Sequence, residues 1–281
     1  MKKIWIPPLC ESYFCGKITF MNKGLFAVLI FSINFIFIQN LNGQGPPITA
    51  ETPIMLGLEG SGIRTFGRFI STENSKNYVH VIAAPYNFSP KFQMGAIFPF
   101  VFKTPKESET VGGFGDMTVF AKYQLYKKDG KAKTFRILAR LTQTFPTGKT
   151  SSEPPIGNDL YQTYFGLIVG NITSKVGIYG DLGYLVKHAN TPDNLVYNFS
   201  MGFPLLPQQY PQKQINAFGE FNGNYQLESK INQFFISPGL QWIPGRRFLL
   251  ESSLQLPLFQ DESVNNKVNF RWLIGIRFLF N

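Results

Sequence analysis

Cysteine is almost absent from this sequence of 281 residues, which contains only Cys10 and Cys15. Both lie before a predicted signal-peptide cleavage site near Gly43 or Gln44, so the mature chain is expected to contain no cysteine. This excludes disulfide bonds and thiol chemistry from the mature protein.

Histidine is equally scarce, with His80 and His188 as its two examples. No serine stands in a G-x-S-x-G elbow. Neither histidine has a carboxylate or cysteine at a spacing typical of a catalytic triad or a metal site. We therefore predict that the protein is not an enzyme and that it binds neither a cofactor nor a metal ion.

The sequence also has few charged residues and no apolar run long enough to cross a bilayer as a helix. Charged residues make up 16% of the chain, against about 25% in typical soluble domains. The apolar stretch from Gly24 to Ile38 is shorter than the roughly twenty residues that a transmembrane helix needs. Yet the chain contains 29 Phe, and 16% of its residues are aromatic. Strands with one face toward lipid and one toward water account for both observations.

Lysine and arginine outnumber aspartate and glutamate by 27 to 17. These basic residues are scattered along the chain and form no stripe of the kind that binds phosphate groups. We therefore expect no nucleic-acid partner.

Residues 21–44 have the layout of a signal peptide. Lys23 precedes the apolar stretch, and small and polar residues follow it. Because Met21 begins a complete signal peptide, we predict that residues 1–20 are an upstream extension. Whether translation starts at Met1 or Met21 stays open, and a retained membrane anchor is the alternative to cleavage.

The rest of the sequence divides into twelve segments, most of them suited in length to tilted transmembrane strands. They comprise residues 62–70, 78–88, 92–102, 114–126, 134–145, 161–172, 175–186, 195–206, 214–225, 233–243, 248–258 and 268–280. We predict an all-β fold, a transmembrane antiparallel up-and-down β-barrel of about 12 strands over residues 62–281. Residues 45–61 are rich in glycine and proline, and we expect them on the periplasmic side or in the lumen.

The alternation of apolar and polar residues is clearest in the last segment. Every second residue from Val268 to Phe280 is apolar. The opposite face carries Asn269, Arg271 and Arg277. A strand buried on both faces would be apolar throughout, so this pattern indicates one wet face.

The connections between segments alternate between short and long, as in bacterial barrels with short periplasmic turns and longer outer loops. An even number of strands then places both termini in the periplasm. Pro238 is the exception to the pattern, because it falls in the middle of segment 233–243, where proline is disfavoured. The count of twelve depends on that segment.

Two glycine-containing stretches resemble nucleotide-binding loops without meeting their requirements. The stretch from Phe145 to Thr150 ends like a P-loop, but Gln143 stands where that motif needs its first glycine. The stretch from Gly112 to Asp116 lacks the dinucleotide-binding spacing and leads into a strand. We reject both motifs.

Charged residues at inward positions are the candidates for a functional lumen, because an ionisable group within a spanning segment needs water or a partner. The pore-lining candidates are Arg64, Arg68, His80, Asp116, Lys122, Arg136, Arg140, Asp181, Glu220, Glu251, Arg271 and Arg277. Aromatic residues expected to face inward beside them are Phe66, Phe120, Tyr179, Phe218 and Phe235. Two interpretations remain open. The charges form a paired network that braces or closes the barrel, or they form a basic pore lining that favours anionic solutes.

Several short motifs resemble the outer-membrane transporter family named after the meta-pathway of phenol degradation. They are GFGDMTVFAKYQLY at 113–126, LTQTFPTGK at 141–149, APY at 84–86 and the closing aromatic strand. The resemblance extends over most of residues 60–281. Asn281 departs from the common ending of such barrels, in which the last residue is aromatic.

The resemblance implies an envelope barrel that moves small hydrophobic or aromatic compounds. We therefore expect a transporter or channel in the outer membrane of a Gram-negative bacterium, after signal-peptide cleavage. Its expected partners are outer-membrane lipid, the barrel assembly machinery and a small-molecule solute. The alternatives are a non-transporting scaffold or surface-binding barrel and, with less support, an outer-membrane hydrolase.

Overall fold

A computed structural model describes residues 45–207, 213–261, 263–264 and 266–280. The predicted upstream extension and signal peptide lie outside the described residues. Within the described part of the chain, no helix has the length and hydrophobicity that crossing a membrane requires.

Thirteen antiparallel β-strands make up the described structure. They are β1 (Gly62–Thr72), β2 (Ser75–Ser89), β3 (Phe92–Pro105), β4 (Val111–Phe114), β5 (Thr118–Gly130), β6 (Lys133–Thr144), β7 (Gln162–Thr173), β8 (Gly177–Lys187), β9 (Asn194–Pro204), β10 (Gln214–Gln226), β11 (Asn232–Ile243), β12 (Phe248–Gln260) and β13 (Val268–Leu279). β1 pairs with both β2 and β13, so the sheet closes on itself. The closed ring has twelve strands, and the short β4 pairs only with β3. The predicted all-β, antiparallel barrel is confirmed.

Side chains alternate between an apolar outer face and a mixed inner face. In β13, Trp272 and Ile274 are each 43% exposed, whereas Leu273 between them is 3% exposed. β7 likewise exposes Phe165 and Leu167. This pattern follows from the strand geometry, in which successive side chains point to opposite faces. A contiguous apolar outer face is suited to contact with lipid.

The predicted strand 114–126 is divided into β4 and β5. β3 pairs with β5 through residues 92–97 and with β4 through residues 100–103. Between the two ladders, residues 115–117 leave the sheet. The Gly115 N–H there donates a hydrogen bond of 2.8 Å to the carbonyl oxygen of Pro99.

Asp116 lies in this interruption, so its predicted position within a strand is wrong. Its carboxylate accepts hydrogen bonds from the backbone N–H groups of Gly148 at 2.9 Å and Asn158 at 2.8 Å. Both donors belong to the connection 145–161, which is distant in sequence. The alternation of apolar and polar residues within one strand cannot predict such a contact.

β11 runs without a break through Pro238, which pairs with Gly219 of β10. The ladder to β12 has no paired residues at Ser237 and Pro238, and it continues in the same register on both sides. The strand therefore tolerates a residue without an N–H group by omitting a short part of one ladder. The predicted strand 233–243 is present, and the count of twelve in the ring holds.

The two ends of the barrel differ in their connections. The end at which β1 begins and β13 ends has the connections 90–91, 131–132, 174–176, 205–213 and 244–247, and the other end has 73–74, 106–110, 145–161, 188–193, 227–231 and 261–267. The difference in length between the two sets of connections is smaller than predicted. β1 and β2 extend beyond their predicted bounds, which reduces the expected outer loop 71–77 to residues 73–74.

Candidate functional site

The barrel lumen contains the chain that precedes β1, residues 45–60, which we call the lumenal segment. Three consecutive backbone N–H groups of this segment donate to the carboxylate of Glu220 in β10. The donors are Ile48 at 2.8 Å, Thr49 at 3.0 Å and Ala50 at 2.7 Å. Glu220 is 0% exposed. Residues 48–50 therefore contact an inward-facing side chain of β10.

The carbonyl oxygens of the lumenal segment also bind the barrel wall. Four consecutive carbonyls accept from wall side chains: Gly45 from Tyr179 at 3.1 Å, Pro46 from Gln241 at 3.0 Å, Pro47 from Arg277 at 2.7 Å and Ile48 from Arg64 at 2.6 Å. These inward polar side chains thus provide the hydrogen-bond partners that a neighbouring strand would provide in a sheet. None of residues 45–60 belongs to a strand, and Pro46, Pro47 and Pro53 have no backbone N–H to donate.

Two of the predicted arginines share one buried carboxylate. Glu251 of β12 accepts hydrogen bonds from Arg64 Nε at 2.7 Å and Arg277 Nε at 2.9 Å. Because the same arginines bind the carbonyl oxygens of the segment, Glu251 orients both donors. A buried carboxylate of this kind is stabilised by paired and hydrogen-bonded partners.

Glu51 of the lumenal segment pairs with the basic residues on the opposite wall. Its carboxylate accepts from Lys122 Nζ at 2.6 Å and forms an ion pair with Arg140. Its backbone N–H donates to Asp181 at 3.0 Å. The segment therefore supplies the negative charge that the excess of basic residues in the strands requires. Glu51 was not among the predicted site residues, because it lies outside the predicted strands.

Apolar contacts also hold the lumenal segment against the barrel wall. Ile48 packs in a buried cluster with Tyr179, Phe218 and Leu273. A Cβ atom at Gly170 of β7 would lie 2.4 Å from Cγ of Pro53. Glycine at this position therefore permits the segment to approach the wall.

The predicted site residues fall into three groups. Seven contact the lumenal segment or the ion pairs that hold it: Arg64, Lys122, Arg140, Asp181, Glu220, Glu251 and Arg277. Three lie on the inner face and form no ion pair within the described residues: Arg68, Arg136 and Arg271. His80 and Asp116 lie elsewhere.

His80 lies on the outer face, so the prediction that it faces the lumen is wrong. Its Nε2 atom is 2.9 Å from the hydroxyl oxygen of Thr65, and its Nδ1 atom is 3.0 Å from that of Tyr78. In β2 both faces carry apolar residues, with Val79 and Val81 directed inward. Alternation of polarity could not determine the orientation of this strand. Both ring nitrogens of His80 have partners outside the lumen.

His188 directly follows β8, at the end of the barrel opposite the start of β1. Its Nε2 atom is 2.8 Å from the hydroxyl oxygen of Thr163. In the part of the chain that is described, no three His, Cys, Asp or Glu side chains come together as a possible metal site.

The connections at that end are bound to one another through Asp193. Its carboxylate accepts from the backbone N–H of Lys187 at 2.9 Å and the hydroxyl of Tyr184 at 2.8 Å. These hydrogen bonds hold the pKa of Asp193 below its usual value. The backbone N–H of Asp193 donates to Glu228 in the next connection. These hydrogen bonds join the connections 188–193 and 227–231, which together we call the rim of the lumen.

The lumenal segment does not fill the barrel. A cavity of about 720 Å³ lies between the segment and the wall. Its wall includes the apolar side chains of Val79, Val81 and Ile97. Arg68 also lines it. The lumen thus combines an apolar wall with cationic groups beside an internal segment.

Residues 60–267 match the model of a family described as "Putative MetA-pathway of phenol degradation". The chain belongs to that family. The match begins at the last residue of the lumenal segment and covers β1 to β12. This confirms the family resemblance of the strand motifs. No curated protein matches the sequence.

Solved structures share the fold of this family member. An outer-membrane channel from Pseudomonas putida F1 superposes with a TM-score of 0.66 at 11% identity, covering 83% of this chain and 100% of that one. The KdgM porin gives a TM-score of 0.48 at 9% identity, covering 78% and 99%. The first comparison shows that the fold is that of an outer-membrane β-barrel.

Proposed function

We propose that the protein is an outer-membrane channel for small solutes and that the lumenal segment sets its conductance. The observation that carries the proposal is the cavity of about 720 Å³ beside an internal segment in a closed barrel. Barrels of about eight strands are filled by side chains, and those of sixteen or more hold open pores. Twelve strands with a partly occupied lumen fit a narrow conduit.

The hydrogen bonds that hold the lumenal segment are compatible with its displacement from the barrel wall. Glu220, Arg64, Arg277 and Gln241 bind it through hydrogen bonds to backbone groups. Because water can replace such bonds, each contributes only about 0.5–1.5 kcal/mol net, or about 1.5–3 kcal/mol when one partner is charged. We infer that the segment exchanges between a seated position and one that leaves a wider passage.

The solutes we propose are small hydrophobic or aromatic compounds. The cavity wall formed by Val79, Val81 and Ile97 supports this class, as do the inward rings of Phe66 and Phe120. The description of the family, which refers to phenol degradation, agrees with it.

The proposed location is the outer membrane of a Gram-negative bacterium, reached after signal-peptide cleavage and insertion by the barrel assembly machinery. The outward side chains of Leu167, Leu182 and Trp242, each more than half exposed, support contact with lipid. We propose no catalytic role, because His80 lies on the outer face and His188 is bound to Thr163 at the rim.

Recording in planar lipid bilayers tests the channel. The refolded chain from residue 45 onward is compared with a variant that lacks residues 45–60, and both are checked for folding by heat-modifiable gel mobility. We expect small currents from the first protein and several-fold larger currents from the second. Two folded but silent proteins would overturn the channel. Equal currents from both would leave a channel but remove the role of the segment.

A scaffold or surface-binding barrel is the second candidate, and the occupied lumen favours it. The rim ordered by Asp193 and Glu228 would then be the binding surface. Silent recordings from both proteins, together with a partner captured by the intact barrel and lost after Asp193→Ala, would support this candidate.

A further inference from the structure

Two arginines on neighbouring strands stand out because they face the lumen without a carboxylate partner. In the register between β1 and β13, Arg68 lies opposite Leu273 and Arg271 lies opposite Ile70. The two are therefore diagonal neighbours on the same face, with about 7–8 Å between their Cα atoms. Among the described residues neither forms an ion pair.

Four other basic residues of the lumen differ in this respect, whereas Arg136 has no ion pair either and donates to Thr134. Arg64 and Arg277 share Glu251, and Lys122 and Arg140 pair with Glu51. Within the described ranges, the guanidinium of Arg271 donates only to the neutral side chain of Gln255, at 2.8 Å.

Aromatic rings compensate the two charges only in part. The Cζ atom of Arg271 is 4.5 Å from the ring centroid of Phe235, and that of Arg68 is 5.8 Å from the ring centroid of Phe66. Phe66 also receives Arg64 at 4.6 Å. A ring face attracts a cation more weakly than a carboxylate does. The pair therefore retains the capacity to bind an anion.

The surroundings of Arg68 indicate what kind of anion fits. Arg68 lines the cavity of about 720 Å³ together with Phe66, Val79 and Val81. A charged group at the guanidinium would place the rest of the molecule against these apolar side chains. The volume lies within the usual range of about 300–1,000 Å³ for sites that bind small organic ligands.

We propose that this cavity binds organic carboxylates that have an apolar body, with the carboxylate at the guanidinium of Arg68, which lines the cavity, and near that of its diagonal neighbour Arg271. The anion lies against the wall of β1 and β2 beside the lumenal segment. This inference rests on the proposed channel and names the solute class that its lumen selects. An inorganic anion gains nothing from the apolar wall, and a neutral aromatic compound gains nothing from the arginines.

Equilibrium binding to the refolded chain in detergent micelles tests the site, with benzoate as the probe. We expect Arg68→Gln to weaken benzoate binding roughly tenfold, since a hydrogen bond to a charged group is lost. Arg68→Lys keeps the charge and should retain most of the affinity. The matched control is Arg136→Gln, which removes the same charge from the inner face of β6, where Arg136 donates to Thr134. It should bind benzoate like the parent protein.

Two further probes separate the parts of the proposal. Benzyl alcohol has the ring without the charge, and its binding should not change in Arg68→Gln. Acetate has the charge without the ring and should bind more weakly than benzoate. The proposal is overturned if Arg68→Gln keeps its benzoate affinity, if it loses benzyl alcohol equally, or if acetate binds as well as benzoate. If Arg68→Gln does not fold, Arg271→Gln takes its place and must show a several-fold loss.

The binding measurement needs no conduction, so the two proposals fail separately. A silent bilayer with Arg68-dependent benzoate binding would overturn the channel and leave the site. A conducting barrel without Arg68-dependent binding would overturn the site and leave the channel.

Discussion

Glu220 is the residue on which the seating of the lumenal segment depends most directly. Its carboxylate accepts from three consecutive N–H groups and from the Thr49 hydroxyl at 2.8 Å. Glu220→Gln keeps the size of the side chain but directs an amide donor at backbone donors, and each donor left unsatisfied costs about 1–3 kcal/mol. We predict larger and more frequent openings in single-channel recordings.

Glu228→Gln is the control for this substitution. Glu228 accepts a hydrogen bond from the Asp193 backbone at 2.9 Å, in a connection outside the lumen. The chemical change is the same, and the recordings should match those of the parent protein. Unaltered currents in Glu220→Gln would show that this carboxylate does not hold the segment closed.

Glu51 allows a prediction on ion selectivity. Glu51→Gln removes the counter-charge of Lys122 and Arg140 and so makes the lumen more positive. An excess of basic groups in a pore favours anions. In a KCl gradient the reversal potential should shift toward that of chloride, while Glu228→Gln should leave it unchanged. A shift toward potassium would contradict the arrangement of charges around Glu51.

The close approach of the lumenal segment to β7 can be tested by adding one methyl group to the strand. Gly170→Ala would place its Cβ 2.4 Å from Cγ of Pro53, closer than such atoms approach. The wall cannot move readily because β7 is paired on both sides. We expect the segment to shift and the conductance to rise.

Gly219→Ala in β10 is the matched control. A Cβ at Gly219 meets no atom within 4 Å. Both variants make the same change of residue within a strand, so a difference between their currents reports contact with the segment. A rise of equal size in both would indicate a general effect on the barrel.

The sequence predicted most strands because alternation is a local property. β13 alternates throughout its length, and its bounds were nearly correct. β2 has apolar residues on both faces, so the orientation of His80 was not predictable from it. The division between β4 and β5 depends on Asp116 and residues 148 and 158, which are far away in the chain.

The contacts of the lumenal segment could likewise not be predicted from local patterns in the sequence. Glu51 and Lys122 are 71 positions apart, and no periodicity links them. From the sequence, the excess of basic residues at inward positions was compatible with a paired network or with a basic pore lining that favours anionic solutes. The structure places the partner in the segment for Lys122 and Arg140, and leaves Arg68 and Arg271 without one among the described residues.

For the molecule as a whole, the decisive property is that its outer face meets lipid. Ile274 lies midway along β13 on that face and is 43% exposed. Ile274→Lys should lower the free energy of unfolding from lipid vesicles by about 2–4 kcal/mol, the cost of a cation at the bilayer midplane. Phe270→Lys, on the same face near the start of the strand, should cost about 0–1 kcal/mol because its charge reaches the interface. Urea titrations followed by tryptophan fluorescence give both values. In a barrel surrounded by water the exposed lysine at 274 would cost little, so equal stabilities of the two variants would contradict a membrane-spanning barrel.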